Sequence, residues 1–124
     1  MADKYRIMIV DDSPNDIRVV MTMLSDEFAV LAATSGEKAL QIAERTPQPD
    51  AILMDVEMPG MNGYQTCEAL KNNHETANIP VVMLSSHSVE EVRKTGDAVG
   101  ASGYLSKPVQ SADLIGVLHG LLSG

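Results

Sequence analysis

The sequence has no tryptophan and only four aromatic residues, Tyr5, Phe28, Tyr64 and Tyr104. Whatever core it builds must be filled by aliphatic side chains and by eight methionines, which serve mostly as flexible filling. A single cysteine, Cys67, excludes an internal disulfide and suits a reducing compartment. Positive charge is scarce: nine Lys and Arg stand against seventeen Asp and Glu, a net charge of −8. Such a surface repels phosphate backbones and anionic headgroups, which argues against nucleic acid or membrane as a direct partner. No apolar run approaches transmembrane length. The run at residues 7–10 is too short for a signal peptide and is closed by Asp11-Asp12, so a cytoplasmic protein is expected. His87 has no cysteine or second histidine at metal-ligand spacing, which argues against zinc.

What is present is an ordinary globular composition, 44% hydrophobic and 21% charged, over 124 residues, enough for one domain spanning 1–124. Short apolar runs alternate with amphipathic stretches. Residues 5–10 read as a strand. Ser13 reads as a helix N-cap with Pro14 at the first helical position, and Ile17, Val20, Met21 and Leu24 make one helical face. Residues 28–33 read as a second strand, and Thr34 with Glu37 as a capping box for a second helix ending before Pro47. Residues 51–54 form a third strand. A loop with Pro59, Gly60, Asn62 and Gly63 precedes a helix over about 64–71. Residues 81–84 form a fourth strand, and Ser88 with Glu91 opens a fourth helix with a thin apolar face of Val89, Val92 and Val99. Tyr104 and Leu105 mark a short fifth strand. Ser111 is expected to cap a last helix striped by Leu114, Ile115, Leu118, Leu121 and Leu122. The pattern is (βα)5, which predicts a doubly wound α/β fold with a parallel sheet and helices on both faces.

The polar exceptions fall at strand ends. Strand one runs into Asp11 and Asp12, strand three into Asp55, strand four into Ser85, and strand five into Ser106, Lys107 and Pro108. In a parallel sheet these ends share one edge, where open α/β sheets bind ligands. Two like charges about 4 Å apart cost on the order of 4 kcal/mol at an effective dielectric near 20, so three carboxylates there need raised pKa values or a cation. An all-oxygen site suits Mg²⁺. A carboxylate can attack phosphorus, and phosphoryl transfer depends mainly on positioning and charge neutralisation, which one lysine and one hydroxyl could assist.

These residues resemble the receiver domain of two-component response regulators, over essentially the whole chain. The matching pieces are Ile9-Val10-Asp11-Asp12-Ser13, the run from Leu53 through Asp55 and Pro59 to Gly63, Pro80 to Ser86, and Gly100 to Pro108. The resemblance implies a flavodoxin-like five-stranded sheet of order 2-1-3-4-5. It implies that Asp55 is the phosphoacceptor and that Asp12 binds Mg²⁺ directly. Asp11 would act largely through a coordinated water, and Glu57 would give its backbone carbonyl to the metal. Lys107 would pair with the phosphoryl group, and the Lys107–Pro108 bond would be cis. Ser85 would bind a phosphoryl oxygen, and Tyr104 would change rotamer with it. Ser85 stands where threonine is frequent in the family. The side chains of Glu57 and His87 are expected to tune how water reaches an acyl phosphate. The resemblance further implies a phosphodonor, either a sensor histidine kinase or a histidine phosphotransfer protein. A target protein would dock on the face of the fourth helix, fifth strand and fifth helix. The protein would be a switch rather than a true enzyme.

Other readings stay open. The same module could be cut from a larger hybrid kinase or cyclase. A phosphatase of the haloacid dehalogenase type also uses an Asp nucleophile; Asp55-Val56-Glu57 meets its spacing loosely but lacks the Asp-Gly-Thr continuation. A flavodoxin-like cofactor binder ranks last, because the first loop is acidic and would repel a flavin phosphate.

Overall fold

A computed structural model describes residues 4–122. Its five strands are β1 (Arg6–Val10), β2 (Ala29–Ala33), β3 (Ala51–Asp55), β4 (Val81–Ser85) and β5 (Gly103–Ser106). They alternate with α1 (Pro14–Leu24), α2 (Gly36–Glu44), α3 (Gly63–Asn72), α4 (Val89–Ala98) and α5 (Ser111–Leu122). The sheet is wholly parallel in the order β2-β1-β3-β4-β5, the expected doubly wound arrangement.

Strand alternation divides the core in two. Met8, Val10, Ile52, Met54, Val81 and Met83 face one layer with Ala39, Cys67, Leu70 and Val92, residues of α2, α3 and α4. Ile7, Ile9, Ala51, Leu53, Val82 and Leu84 face the other with Ile17, Val20, Leu24, Leu114 and Leu118 of α1 and α5. The central strands β3 and β4 are buried along their whole length, as strands covered on both faces must be. Cys67 is fully buried, and burial pushes its thiol up to about 11. Among the described residues no helix is long and apolar enough to cross a membrane.

Several boundaries differ from expectation, each for a local reason. The α2 cap is Ser35 rather than Thr34, and its side chain accepts from the Lys38 amide at 3.2 Å. The helix starts at Gly36, which presses so closely on α3 that a Cβ there would lie 2.2 Å from Thr66 Oγ1. With Lys38 at the third helical position, no Glu or Gln can close a capping box there. The box occurs instead at α3, where Asn62 Oδ1 accepts from the Gln65 amide and Gln65 Oε1 accepts from the Asn62 amide, both at 2.9 Å. Ser111 is the first residue of α5 rather than its cap; the Leu114 amide donates to the Gln110 carbonyl, and burial of Leu114 and Leu118 sets that register. Phe28 lies outside β2 and packs with α1 and α5.

Candidate functional site

Four strand ends bring the polar residues to one edge. Asp11 follows β1 directly; its amide extends the β1–β2 ladder to the Ala33 carbonyl, and its Oδ1 accepts from the Ser13 amide at 2.9 Å. This short loop bond fixes the carboxylate just before the N-terminus of α1. Asp55 is the last residue of β3 and Ser85 the last of β4, both almost fully buried. The Asp55 backbone is wedged by Gly63, where a Cβ would lie 2.3 Å from the Asp55 carbonyl oxygen. Lys107 follows β5; its amide donates to the Ser85 carbonyl at 2.7 Å and its bond to Pro108 is cis. A second cis bond, Thr46–Pro47, lies away from this edge.

The carboxylates of Asp11, Asp12 and Asp55 each offer an oxygen within 4.8 Å of the others. Asp11 and Asp55 are buried, whereas Asp12 is exposed. The Lys107 ammonium reaches Asp55 Oδ1 at 3.1 Å, Asp11 Oδ2 at 3.2 Å and Asp16 Oδ2 at 3.4 Å. The site is therefore short of positive charge. Burial first, then the neighbouring Asp11 charge, pushes Asp55 up to about 6, against the opposing pull of Lys107. Burial alone would lower Lys107, but its hydrogen bond and charge contact with Asp55, with Asp11 adding to them, hold the ammonium above its ordinary range. Both shifts have one meaning: the cluster takes up positive charge readily. Three clustered hard oxygens suit a divalent cation that keeps some of its waters, and the residues present fit Mg²⁺ in that sense.

Ser85 and Glu57 meet directly. Ser85 Oγ donates to Glu57 Oε2 at 2.8 Å and accepts from the His87 amide at 3.0 Å. Glu57 Oε1 also accepts from the Ser86 hydroxyl at 3.2 Å and the Ser86 amide at 3.4 Å. His87 pairs with Glu91 at 3.5 Å on the exposed start of α4. Tyr104 lies outside the acidic cluster, against α4. Its hydroxyl donates to Asp97 Oδ1, the Arg93 guanidinium lies 5.6 Å from its ring centroid, and the ring covers Gly96. Burial and the Asp97 carboxylate hold its phenol above the usual range.

Three of these contacts escaped the sequence reading. Asp16 had a legible signal: a first-turn side chain leans toward the helix N-terminus, here toward the cleft. The reach of the Glu57 carboxylate to Ser85 and Ser86, and the bond between Asp97 and Tyr104, depend on how separate loops pack and leave no periodic mark.

The Response regulator receiver domain family matches residues 7–119. The chain is 38% identical over 120 residues to Protein PilH of Pseudomonas aeruginosa, covering 96% of this chain and 98% of that one. Other relatives are longer: the chain spans 23% of one from Vibrio cholerae and 26% of a response regulator from Caulobacter vibrioides. Among solved structures, chemotaxis protein CheY4 of Vibrio cholerae superposes with a TM-score of 0.90 at 31% identity, over 97% of this chain and all of that one. The receiver domain of a Pseudomonas aeruginosa sensor histidine kinase, solved with magnesium coordinated in its active site cleft, gives a TM-score of 0.89 at 27% identity over 98% and 100%.

Proposed function

Because this chain belongs to the response regulator receiver domain family of two-component systems, we propose that it is a phosphoacceptor switch in which Asp55 takes a phosphoryl group in a Mg²⁺-dependent reaction. The observation that carries the reading is the buried Asp55 carboxylate held 3.1 Å from the Lys107 ammonium within a cluster of three acids.

Asp11, Asp12, Asp55 and the Glu57 backbone carbonyl would hold the ion, which supplies charge neutralisation at the transferring phosphoryl oxygens. A carboxylate oxygen of Asp55 attacks phosphorus of the donor phosphohistidine. The new P–O bond forms as the P–N bond breaks, and the imidazole leaves with the electron pair and takes up a proton. Lys107 pairs with the transferred group through charge. Ser85 donates its hydroxyl to a phosphoryl oxygen. Tyr104, packed against α4, reports the change to the face of α4, β5 and α5, where a target protein binds. The phosphodonor is a sensor histidine kinase or a histidine phosphotransfer protein. The protein promotes its own modification and its reversal but turns over no separate product. The longer relatives favour one second reading, in which the same module works within a larger signalling chain.

The test is intact-mass spectrometry after incubation with acetyl phosphate, with and without Mg²⁺, on wild type and Asp55→Asn. One added phosphoryl group requiring both Mg²⁺ and Asp55 supports the reading. An adduct that persists in Asp55→Asn rejects Asp55 as the acceptor.

A further inference from the structure

A serine hydroxyl carries one proton. In this structure the Ser85 proton is given to Glu57 Oε2 at 2.8 Å, so Ser85 has none to offer a phosphoryl oxygen on Asp55. The same carboxylate receives the Ser86 hydroxyl at 3.2 Å and the Ser86 amide at 3.4 Å. Glu57 thus holds the last residue of β4 and the first of the loop that leads into α4, whose N-cap is Ser88. The carboxylate has somewhere to go. Glu57 is exposed and borders an open cleft with Met58, Pro59, Asn62, Tyr64 and His87.

We infer that the Glu57 side chain is a positioning residue that competes with the phosphoryl group for the Ser85 hydroxyl and clamps the β4–α4 loop until that group displaces it. The identity of the displacing anion rests on the proposed function; the clamp itself does not. An arriving phosphoryl group acts on Glu57 in two ways. It offers Ser85 a stronger acceptor, and it repels a like charge only two residues from Asp55 along the chain. Once Glu57 leaves, the Ser86 hydroxyl and amide lose their acceptor as well. The loop then changes partners at the root of the helix against which Tyr104 packs. Chemistry at Asp55 is thereby joined to α4 through one carboxylate.

The experiment compares wild type, Glu57→Ala, Glu57→Gln, Ser85→Ala and the double variant Glu57→Ala with Ser85→Ala. Beryllofluoride serves as the phosphoryl mimic in the presence of Mg²⁺, with affinity read by calorimetry. Exchange of the Ser86 and His87 amides is read by NMR without any ligand. Glu57→Ala is expected to tighten beryllofluoride roughly tenfold, the scale of one hydrogen bond to a charged group. Glu57→Gln gains less, since its amide oxygen still accepts. The gain disappears in the Ser85→Ala background. Equal tightening in both backgrounds means that Glu57 acts only by charge at a distance and overturns the competition, as does unchanged or weaker binding in Glu57→Ala. In the ligand-free protein the Ser86 and His87 amides exchange several-fold faster in Glu57→Ala while β3 and β4 amides are unchanged; identical exchange overturns the clamp. Faster exchange in Glu57→Ala with no beryllofluoride binding to any variant leaves the clamp standing and removes the phosphoacceptor reading instead.

Discussion

Lys107 Nζ lies 3.1 Å from Asp55 Oδ1 although Asp55 ends β3 and Lys107 follows β5, strands that are not neighbours; β4 runs between them. The side chain spans the edge of the sheet and continues to Asp11, at the end of β1, at 3.2 Å. Replacing it with alanine leaves two buried carboxylates without their cation. We expect Lys107→Ala to lose about 1–3 kcal/mol of stability at pH 7, measured by urea denaturation. The loss should shrink toward pH 4 as Asp55, raised to about 6, protonates. A deficit independent of pH would mean that lost packing, not lost charge, is responsible.

The buried Asp55 carboxylate gives the metal-free protein a pH dependence of defined sign. Asp55 rises from an ordinary 3.8 to about 6 in the folded state. Between those values the folded chain holds more protons than the unfolded one, so stability from this group falls as pH rises and stays low above the window. Asp55→Asn should remove the penalty, gaining on the order of 2 kcal/mol at pH 7.5 and nothing below pH 4. Thermal melts across pH, without divalent ions, check this; a variant less stable than wild type at pH 7.5 contradicts it.

Mg²⁺ should reverse that penalty. An ion bound only by the folded state at a hundred times its Kd stabilises by about 2.7 kcal/mol. Chelation is expected to return the wild type to its metal-free midpoint without unfolding it. Asp12→Ala should lose most of the response, because it removes one of the three clustered oxygens. The shift in midpoint with Mg²⁺ concentration is the readout, and an equal shift in Asp12→Ala would remove that residue from the ion's ligands.

Two glycines should respond differently to the same substitution. At Gly63 a Cβ meets backbone, 2.3 Å from the Asp55 carbonyl oxygen and 2.8 Å from Val56 Cα. Gly63→Ala should cost about 1–3 kcal/mol or more and disturb Asp55. At Gly96 a Cβ meets the Tyr104 ring, at 2.3 Å from Cε1. That side chain can swing away, and alanine favours the helix by about 1 kcal/mol. Gly96→Ala should therefore leave stability within about 1 kcal/mol of wild type while displacing Tyr104, seen as shifted ring resonances in NMR spectra.

The sequence was most readable where periodicity and strand position decide the outcome. Apolar runs ending in Asp11, Asp55 and Ser85 placed the strands and the edge on which their ends meet, because a parallel sheet leaves no other place for them. It was less readable where two residues of similar chemistry compete. Thr34 and Ser35 both suit an N-cap, and contact between Gly36 and Thr66 decided for Ser35. Asn62 is legible as a loop residue, whereas its capping box with Gln65 is set by the register at which α3 starts. The partners of Glu57 and Tyr104 were not legible at all. Each depends on the distance between two loops or on the face a helix presents, which no local pattern records.

Cys67 stands apart from all this chemistry. Its thiol is fully buried and pushed up to about 11, so thiol-directed reagents will pass it by in the folded protein near neutral pH. A cysteine introduced at an exposed position of α4, such as Lys94, would then be the sole site for a fluorophore or spin label. The helix next to Tyr104 can be tagged in one step, with the native cysteine left in place.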